Sequence, residues 1–332
     1  MTDERLSLAE AEALIAAALR GAGVPEAAAV PTARALVAAE AEGQAGHGFS
    51  RVEDYAAQAQ SGKVVAGAVP SVSRPFPAAV HVDAAHGFAY PALDAALEAG
   101  LPVAREMGVC VMTVARSHHC GALSVQVDRI ARAGLIGLMV ANAPKAIAPW
   151  GASKPFFGTN PIAFAVPRAE ADPLVVDLSL SVVARGKVMN AAKQGQAIPE
   201  GWALDTDGRP TTDAEAALAG TMLPIGGAKG TALALMVEVL AAILTGSARS
   251  SEASSFFAAD GPPPGVGQTM LAIRPGGGTG FAERLEGLLA DIVAMDGARL
   301  PGTRRAEAMA RARAEGLAVP ARYLEAARRL AG

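Results

Sequence analysis

The first fifty positions repeat apolar residues at helical spacing. Leu8, Ala11, Leu14, Ile15, Ala18 and Leu19 recur until Gly21 and Gly23 end the run. Ser7 and Glu10 form a capping box, in which each side chain satisfies a free backbone N–H at the helix start. A second helix is expected from Pro25 and Glu26 through Val30, Leu36 and Val37 to about Gly43, and Pro31 can move its start by a turn. A third, short helix covers Val52 to Gln60. From about residue 78 the period changes. Strands are expected at 78–82, 109–114, 135–141, 161–166, 174–178 and 270–273. Helices are expected at 91–107, 121–133, 186–194 and 229–244. The tail, 281–295 and 304–331, returns to amphipathic helix.

Helices at both ends and a mixed middle predict an α/β protein. A mixed sheet forms the centre, and the two ends pack together around it. The expected boundaries are 1–72 for the amino-terminal helices, 73–280 for the central α/β domain, and 281–332 for helices that return to the first part.

Composition narrows the function classes. A net charge of −3 over 332 residues supplies no basic field for nucleic acid. Cys110 and Cys120 do not make a disulfide framework, which fits a reducing, cytoplasmic setting. The start Met1-Thr2-Asp3-Glu4 has no cationic region before an apolar stretch, so no secretory signal is expected. Ala232–Leu244 is interrupted by Glu238 and too short to span a bilayer, so no membrane partner is expected. The chain lacks a Gly-x-Gly-x-x-Gly after a strand; the glycine run at 276–280 has no third glycine in place. It also lacks a Walker loop, a metal-ligand motif and a nucleophile elbow, so no metal is expected and any phosphate cradle must be built differently.

Several groups remain as candidate chemistry. His47, between two glycines, stands four residues before Arg51; if Gly46 to Arg51 opens a helix, both face one ligand. An imidazole beside a guanidinium suits an anionic carbonyl substrate, the one moving a proton and the other gripping a carboxylate. The same pair also reads as a capping histidine with a surface arginine. His118 and His119 lie between an expected strand and helix, where free N–H groups bind anions, and Gly121-Ala122 lets a ligand approach the backbone. Asn142, Trp150-Gly151 and Gly158-Thr159-Asn160-Pro161 are polar groups that read a ligand or close turns. Asp177 ends a strand, as a ligand contact or a helix cap. Arg185-Gly186-Lys187 and Gly226-Gly227-Ala228-Lys229-Gly230 put cations among glycines, and Arg299, Arg304 and Arg305 surround Pro301-Gly302. His81 and His86 read as structural.

Taken in order, these strings resemble the malate/L-lactate dehydrogenase-like oxidoreductases that lack a Rossmann fold. They are His47-Gly48 with Arg51, Ser117-His118-His119 with Gly121-Ala122, Ala148-Pro149-Trp150-Gly151, Gly158-Thr159-Asn160-Pro161-Ile162-Ala163-Phe164, Asp177-Leu178, Ala184-Arg185-Gly186-Lys187, Gly226-Gly227-Ala228-Lys229-Gly230 and Arg299-Leu300-Pro301-Gly302. The resemblance implies a homodimeric enzyme with a non-Rossmann α/β nucleotide-binding domain, residues 73–280 holding cofactor and substrate, and a helical domain formed by both termini. It implies use of NAD(H) or NADP(H) on a small 2-hydroxy/2-oxo acid of the malate, lactate or sulfolactate type. The alternative is NADPH-dependent reduction of a cyclic imino acid such as Δ1-piperideine-2-carboxylate or Δ1-pyrroline-2-carboxylate. It implies catalytic roles for His47, Arg51, His119 and Lys187, with Arg51, Asn142, Thr159 and Arg185 meeting substrate. His119, Cys120, Gly121, Ala122, Leu123, Val175, Val176, Asp177, Ala228, Lys229, Arg299, Gly302, Arg304 and Arg305 would surround the cofactor.

Two positions separate the branches. The cyclic-imine reductases carry Ser before the histidine and Asp where this chain has Lys187, read together as a proton relay; here the residues are Gly46 and Lys187. A lysine there favours a carbonyl oxyanion over an iminium, which tilts the reading towards an oxo acid.

Overall fold

The computed structural model describes residues 4–276 and 280–332, so the expectation on Met1 to Asp3 and the centre of the glycine run fall outside the described residues. The chain opens with β1 (Glu4–Leu6), α1 (Leu8–Gly21), α2 (Glu26–Ala41), two 3₁₀ turns (Ala45–His47 and Phe49–Arg51) and α3 (Val52–Gln60). Next come β2 (Ser71–Phe76), β3 (Ala79–Asp83), α4 (Ala89–Met107), β4 (Val109–Ser117), α5 (Ser124–Arg132), β5 (Ile136–Ala141), β6 (Ile162–Val166) and β7 (Leu174–Leu178). Then follow α6 (Arg185–Lys193), β8 (Ala203–Leu204), β9 (Pro210–Thr211), α7 (Ala214–Ala219), β10 (Thr221–Met222) and α8 (Ala228–Glu238), which runs into a π turn (Val239–Ile243). The chain ends with β11 (Val266–Ile273), α9 (Phe281–Val293), α10 (Thr303–Glu315), β12 (Leu317–Val319) and α11 (Ala321–Ala331).

Local signals set many of these boundaries. The capping box forms, with Glu10 N–H donating to Ser7 Oγ at 3.2 Å and Ser7 N–H to Glu10 Oε2 at 2.8 Å. Pro25 precedes α2, and Pro31 is accommodated inside that helix without moving its start. Gly108, with φ of +84°, ends α4 in the left-handed conformation open to glycine.

The main sheet has the order β2-β3-β4-β11-β5-β6-β7. Only β3 and β4 pair in parallel, bridged by α4; every other neighbouring pair is antiparallel. That arrangement is mixed and cannot be a doubly wound parallel sheet. One continuous core joins the terminal helices to the sheet, from Ile15 and Leu36 through Leu93, Ile130 and Met139 to Leu324. A second core lies under α8, where Ala234, Val237 and Ala241 meet Val140, Ile147 and Phe157. The three-stranded sheet β10-β8-β9 packs with α6 and α7 around its own small core, including Val183, Val188 and Met222.

The two termini meet. β1 pairs with β12, and α10 and α11 pack on α2, α1 and α3. α9 is instead held to the segment after β6 by the Arg168–Glu286 pair, with contacts of 2.9 and 2.6 Å. The expected continuous helix over 304–331 is broken at Gly316 (φ +77°), where a Cβ would stand 2.7 Å from the Leu6 carbonyl oxygen. Helical periodicity cannot register that approach from the far end of the chain. Strand β2, exposed along its whole length, has no buried face to mark it. Among the described residues, no helix is long and apolar enough to cross a membrane.

Candidate active site

His47 and Arg51 do not share an α-helix. They sit on two 3₁₀ turns separated by Gly48, whose backbone (φ −109°, ψ −130°) interrupts the helical path. A Cβ at Gly48 would overlap the Glu40 carboxylate, which accepts from Phe49 N–H at 2.8 Å. The glycine therefore lets the chain turn tightly over α2. Arg51 Nε donates to the Gly46 carbonyl at 2.6 Å, and Nη1 lies 3.4 Å from Asp54 Oδ2. The Phe257 ring covers one face of the guanidinium, 4.6 Å from Cζ to the centroid.

β4 delivers His118 and His119 to the same place. The imidazoles of His47 and His119 stack with centroids 5.3 Å apart and planes 24° apart. His119 Nδ1 is 2.7 Å from the Tyr55 hydroxyl, which is 3.2 Å from that of Tyr90. Phe256 closes another side, its centroid 4.8 Å from that of His119. The adjacent histidine turns inward: His118 Nε2 lies 2.6 Å from Gln58 Oε1. The Gln58 amide nitrogen already donates to the Phe256 and Ala258 carbonyls, so its oxygen accepts and His118 is the donor. In the neutral ring, Nδ1 of His118 is then a bare acceptor, and it is buried without a partner.

All three histidines are driven towards neutrality. Burial, then the Arg51 charge, pushes His47 down to about 4. Burial, then Lys63 and Arg51, takes His118 to about 3. His119 falls well below its ordinary value through burial and the neighbouring His47, Arg51 and His118. Burial raises the Tyr55 and Tyr90 phenols, keeping both hydroxyls protonated. Nδ1 of His47 is buried and unpartnered, a ring nitrogen to which the protein offers nothing.

The segments expected around a cofactor partly converge beside these rings. In the turn after His119, burial pushes the Cys120 thiol up to about 12, and Gly121 (φ +68°) gives way to the Tyr90 hydroxyl, 2.6 Å from where a Cβ would be. Ala122 and Leu123 lead into α5. The free N–H of Ser124 at the start of that helix donates to Asp177 Oδ2 at 2.9 Å, so a side chain of β7 fills the expected anion site. Arg305 donates to the Val175 carbonyl at 3.0 Å and approaches Asp177 at 3.8 Å. A Cβ on Gly302 (φ +82°) would lie 2.5 Å from that same Val175 oxygen. Residues 119–123, 175–177 and 302–305 therefore form one edge, with Val176 in its strand. Arg299 and Arg304 are exposed near it.

Among the described residues, the other candidates make no hydrogen bond, ion pair or ring contact with His47, Arg51 or His119. Asn142 donates through Nδ2 to the Ala248 carbonyl (2.9 Å) and accepts at Oδ1 from the Gly267 N–H (2.9 Å), joining β5 to the start of β11. Asn160 is likewise occupied, by the Ala234 carbonyl and the buried Glu238. The Thr159 carbonyl accepts from Leu180 N–H. Arg185 reaches the Leu218 carbonyl at 3.5 Å. Lys187 is exposed on α6, and among the described residues no hydrogen bond or ion pair joins it to His47 or Arg51. Ala228 and Lys229 open α8 on the surface. No group of His, Cys, Asp and Glu among the described residues could hold a metal ion.

Sequence reasoning overlooked Tyr55, Gln58, Lys63, Tyr90, Phe256 and Phe257. Tyr55 carries a readable signal, one helical turn beyond Arg51. The two phenylalanines carry none, because only the fold brings their loop to the histidines.

The mixed sheet and the His47–His119 stack beside Arg51 agree with the class of oxidoreductase that the motifs resemble. A family profile described as malate/L-lactate dehydrogenase matches residues 6–327, and the chain belongs to that family. It is an NAD(P)-dependent oxidoreductase, with NAD(H) or NADP(H) as cofactor. It is 53% identical to (2R)-3-sulfolactate dehydrogenase (NADP(+)) of Chromohalobacter salexigens, over 95% of this chain and 94% of that one. It is 42% identical to the Δ1-pyrroline-2-carboxylate/Δ1-piperideine-2-carboxylate reductase of Pseudomonas putida, over 99% and 97%. The crystal structure of Δ1-piperideine-2-carboxylate reductase from Pseudomonas syringae pv. tomato matches with a TM-score of 0.93 at 38% identity, covering 98% of this chain and 99% of that one.

Proposed function

We propose that the chain interconverts a small 2-hydroxy acid and its 2-oxo acid, of the 3-sulfolactate type, using NADP(H). The observation that carries this reading is the His47–His119 stack beside Arg51. Arg51 holds the substrate carboxylate through its Nη edge. The substrate oxygen lies against the imidazoles, which give it a proton on reduction and take one on oxidation. The bound nicotinamide supplies or receives the hydride. Residues 119–123, Val175–Asp177, Gly302 and Arg305 hold the cofactor, with Arg299 and Arg304 exposed where a phosphate could be met. The identity to a sulfolactate dehydrogenase, and Gly46 and Lys187 in place of the serine–aspartate relay, support an oxo acid.

Cyclic imine reduction is the second reading, favoured by the 42% identity to a pyrroline- and piperideine-carboxylate reductase. Turnover of 3-sulfopyruvate and Δ1-piperideine-2-carboxylate, each with NADPH, separates the two. A higher kcat/KM on the oxo acid is expected, and a wide margin for the imine would overturn the assignment.

We further propose a homodimer. From Ala232 through Ile243 the run is apolar on every side apart from the buried Glu238, and such a helix is normally covered on every side. Ala234, Val237 and Ala241 cover the sheet, whereas Leu235 is 54% and Ile243 57% exposed. A second copy is the occupant that fits this bare face. The two cysteines, both free and buried, support a reducing cytoplasmic setting.

A further inference from the structure

The segment between the π turn and β11 is fastened by its carbonyls to the end of α3. Lys63, only 2% exposed, directs its ammonium at the carbonyls of Ser255 (2.6 Å), Ala258 (2.9 Å) and Asp260 (3.2 Å). Gln58 donates to the Phe256 and Ala258 carbonyls, and Ser61 Oγ to that of Ala259 at 2.7 Å. A buried ammonium is costly unless its donors are satisfied, so this loop is a built element with a defined position. What it presents to the site is two rings, Phe256 against His119 and Phe257 against Arg51.

Phe257 remains 42% exposed, so it adds little to the core. Its partner is the guanidinium. Arg51 is held at Nε by the Gly46 carbonyl, weakly at Nη1 by Asp54, and over one face by the ring. Among the described residues nothing accepts a hydrogen bond from Nη2. With Nε and one N–H of Nη1 engaged, Nη2 and the second N–H of Nη1 are left to meet a carboxylate with two parallel hydrogen bonds.

We propose that Phe257 is a positioning residue for substrate binding, holding the Arg51 guanidinium by cation–π contact so that its Nη edge faces the substrate carboxylate. This rests on the reading of Arg51 as the carboxylate clamp. Phe257 acts on substrate capture and leaves the hydride and proton steps to other groups. Lys63 and Gln58 hold its loop in register.

The test is steady-state kinetics of the full chain with NADPH and 3-sulfopyruvate or Δ1-piperideine-2-carboxylate, both carboxylates. Phe257→Leu keeps apolar bulk and removes the aromatic face. It should raise KM about three- to tenfold on whichever probe is turned over, the size of one partly exposed cation–π contact. Its kcat should stay within about twofold. Phe257→Trp should restore KM, because indole offers the better face for a cation. An unchanged KM in Phe257→Leu, or a KM in Phe257→Trp as high as in Phe257→Leu, overturns the proposal. Arg51→Gln, measured in parallel, reports on the underlying reading. If it leaves KM unchanged, the clamp itself is wrong; if it raises KM while Phe257→Leu does not, only the role of Phe257 fails.

Discussion

The rings of His47 and His119 lie nearly parallel, 5.3 Å between centroids, although 72 positions separate them in sequence (119 − 47). After burial, His47 lowers the proton affinity of His119, and Arg51 lowers that of both. Two buried imidazoles this close share one charge at most, so a proton entering the site is held by the pair. Removing either ring should damage proton transfer more than binding. We expect His47→Ala and His119→Ala to lower kcat by about 10²–10⁴, the usual worth of general acid–base catalysis. NADPH binding, followed by fluorescence titration, should change little in His47→Ala. Wild-type turnover in that variant would remove His47 from the mechanism.

Substrate binding should draw a proton into the site. After burial, the largest cause of the low His47 value, about 4, is the Arg51 charge. A carboxylate on Arg51 cancels that charge and adds a negative group nearby, so the imidazole pKa rises. Near pH 6 the complex then binds more protons than the free enzyme. Titration calorimetry in buffers of different ionisation enthalpy should show net proton uptake, and KM should increase with pH above 6. Proton release on binding would contradict the proposed geometry.

His118 couples stability to pH with a definite sign. Its ordinary value of 6.5 applies in the unfolded chain, and the fold lowers it to about 3. Below pH 6.5 the unfolded state therefore binds more protons than the folded one, so stability declines as pH falls from about 6.5 towards 3. The contribution lost is on the order of a few kcal/mol. His118→Gln, which can still donate to Gln58, should flatten the fall in melting temperature between pH 7 and 5. A slope as steep as that of the parent would assign the effect to other groups.

How much of this was legible depends on distance along the chain. Ser7 and Glu10 announced α1, and Val52–Gln60 is α3 residue for residue, because capping and periodicity act within a few turns. Likewise Leu174–Leu178 is β7 as read. The break at Gly316 was hidden because its cause is the Leu6 carbonyl, contributed by the other end of the chain. The site shows the same divide. His47, Arg51 and His119 declared themselves by chemistry and resemblance, and the structure brings them together. Asp177 was legible as a residue but open in role; its carboxylate accepts from the Ser124 N–H at the start of α5. Asn142 was readable as a ligand contact or a turn residue, whereas the bonds of its amide to Ala248 and Gly267 are set by the third dimension alone.

The bare side of α8 yields a prediction about assembly. Leu235, Val239 and Ile243 succeed one another at four-residue spacing and remain 54%, 47% and 57% exposed. Placing a charge there should cost little in an isolated chain, since those side chains touch water. In a dimer the same charge would be buried without a partner and cost several kcal/mol. Leu235→Glu should therefore shift the mass measured by light scattering from two chains towards one, with little change in helical circular dichroism. A chain that remains dimeric in this variant would place the interface elsewhere.

Substrate preference can be tested at Gly46. A Cβ there meets no atom within 4 Å, so Gly46→Ser fits without displacing the turn that carries His47. Lys187 is exposed, and among the described residues its side chain makes no hydrogen bond or ion pair that Lys187→Asp would break. The double variant installs the serine and aspartate that the cyclic-imine reductases carry, and removes a positive charge that would favour an oxyanion over an iminium. We expect the ratio of kcat/KM for Δ1-piperideine-2-carboxylate to that for 3-sulfopyruvate to rise at least about tenfold, a fraction of one acid–base contribution. The single variants should each give less than the pair, because a relay works only when both members are present. An unchanged ratio would mean that neither position selects between carbonyl and imine.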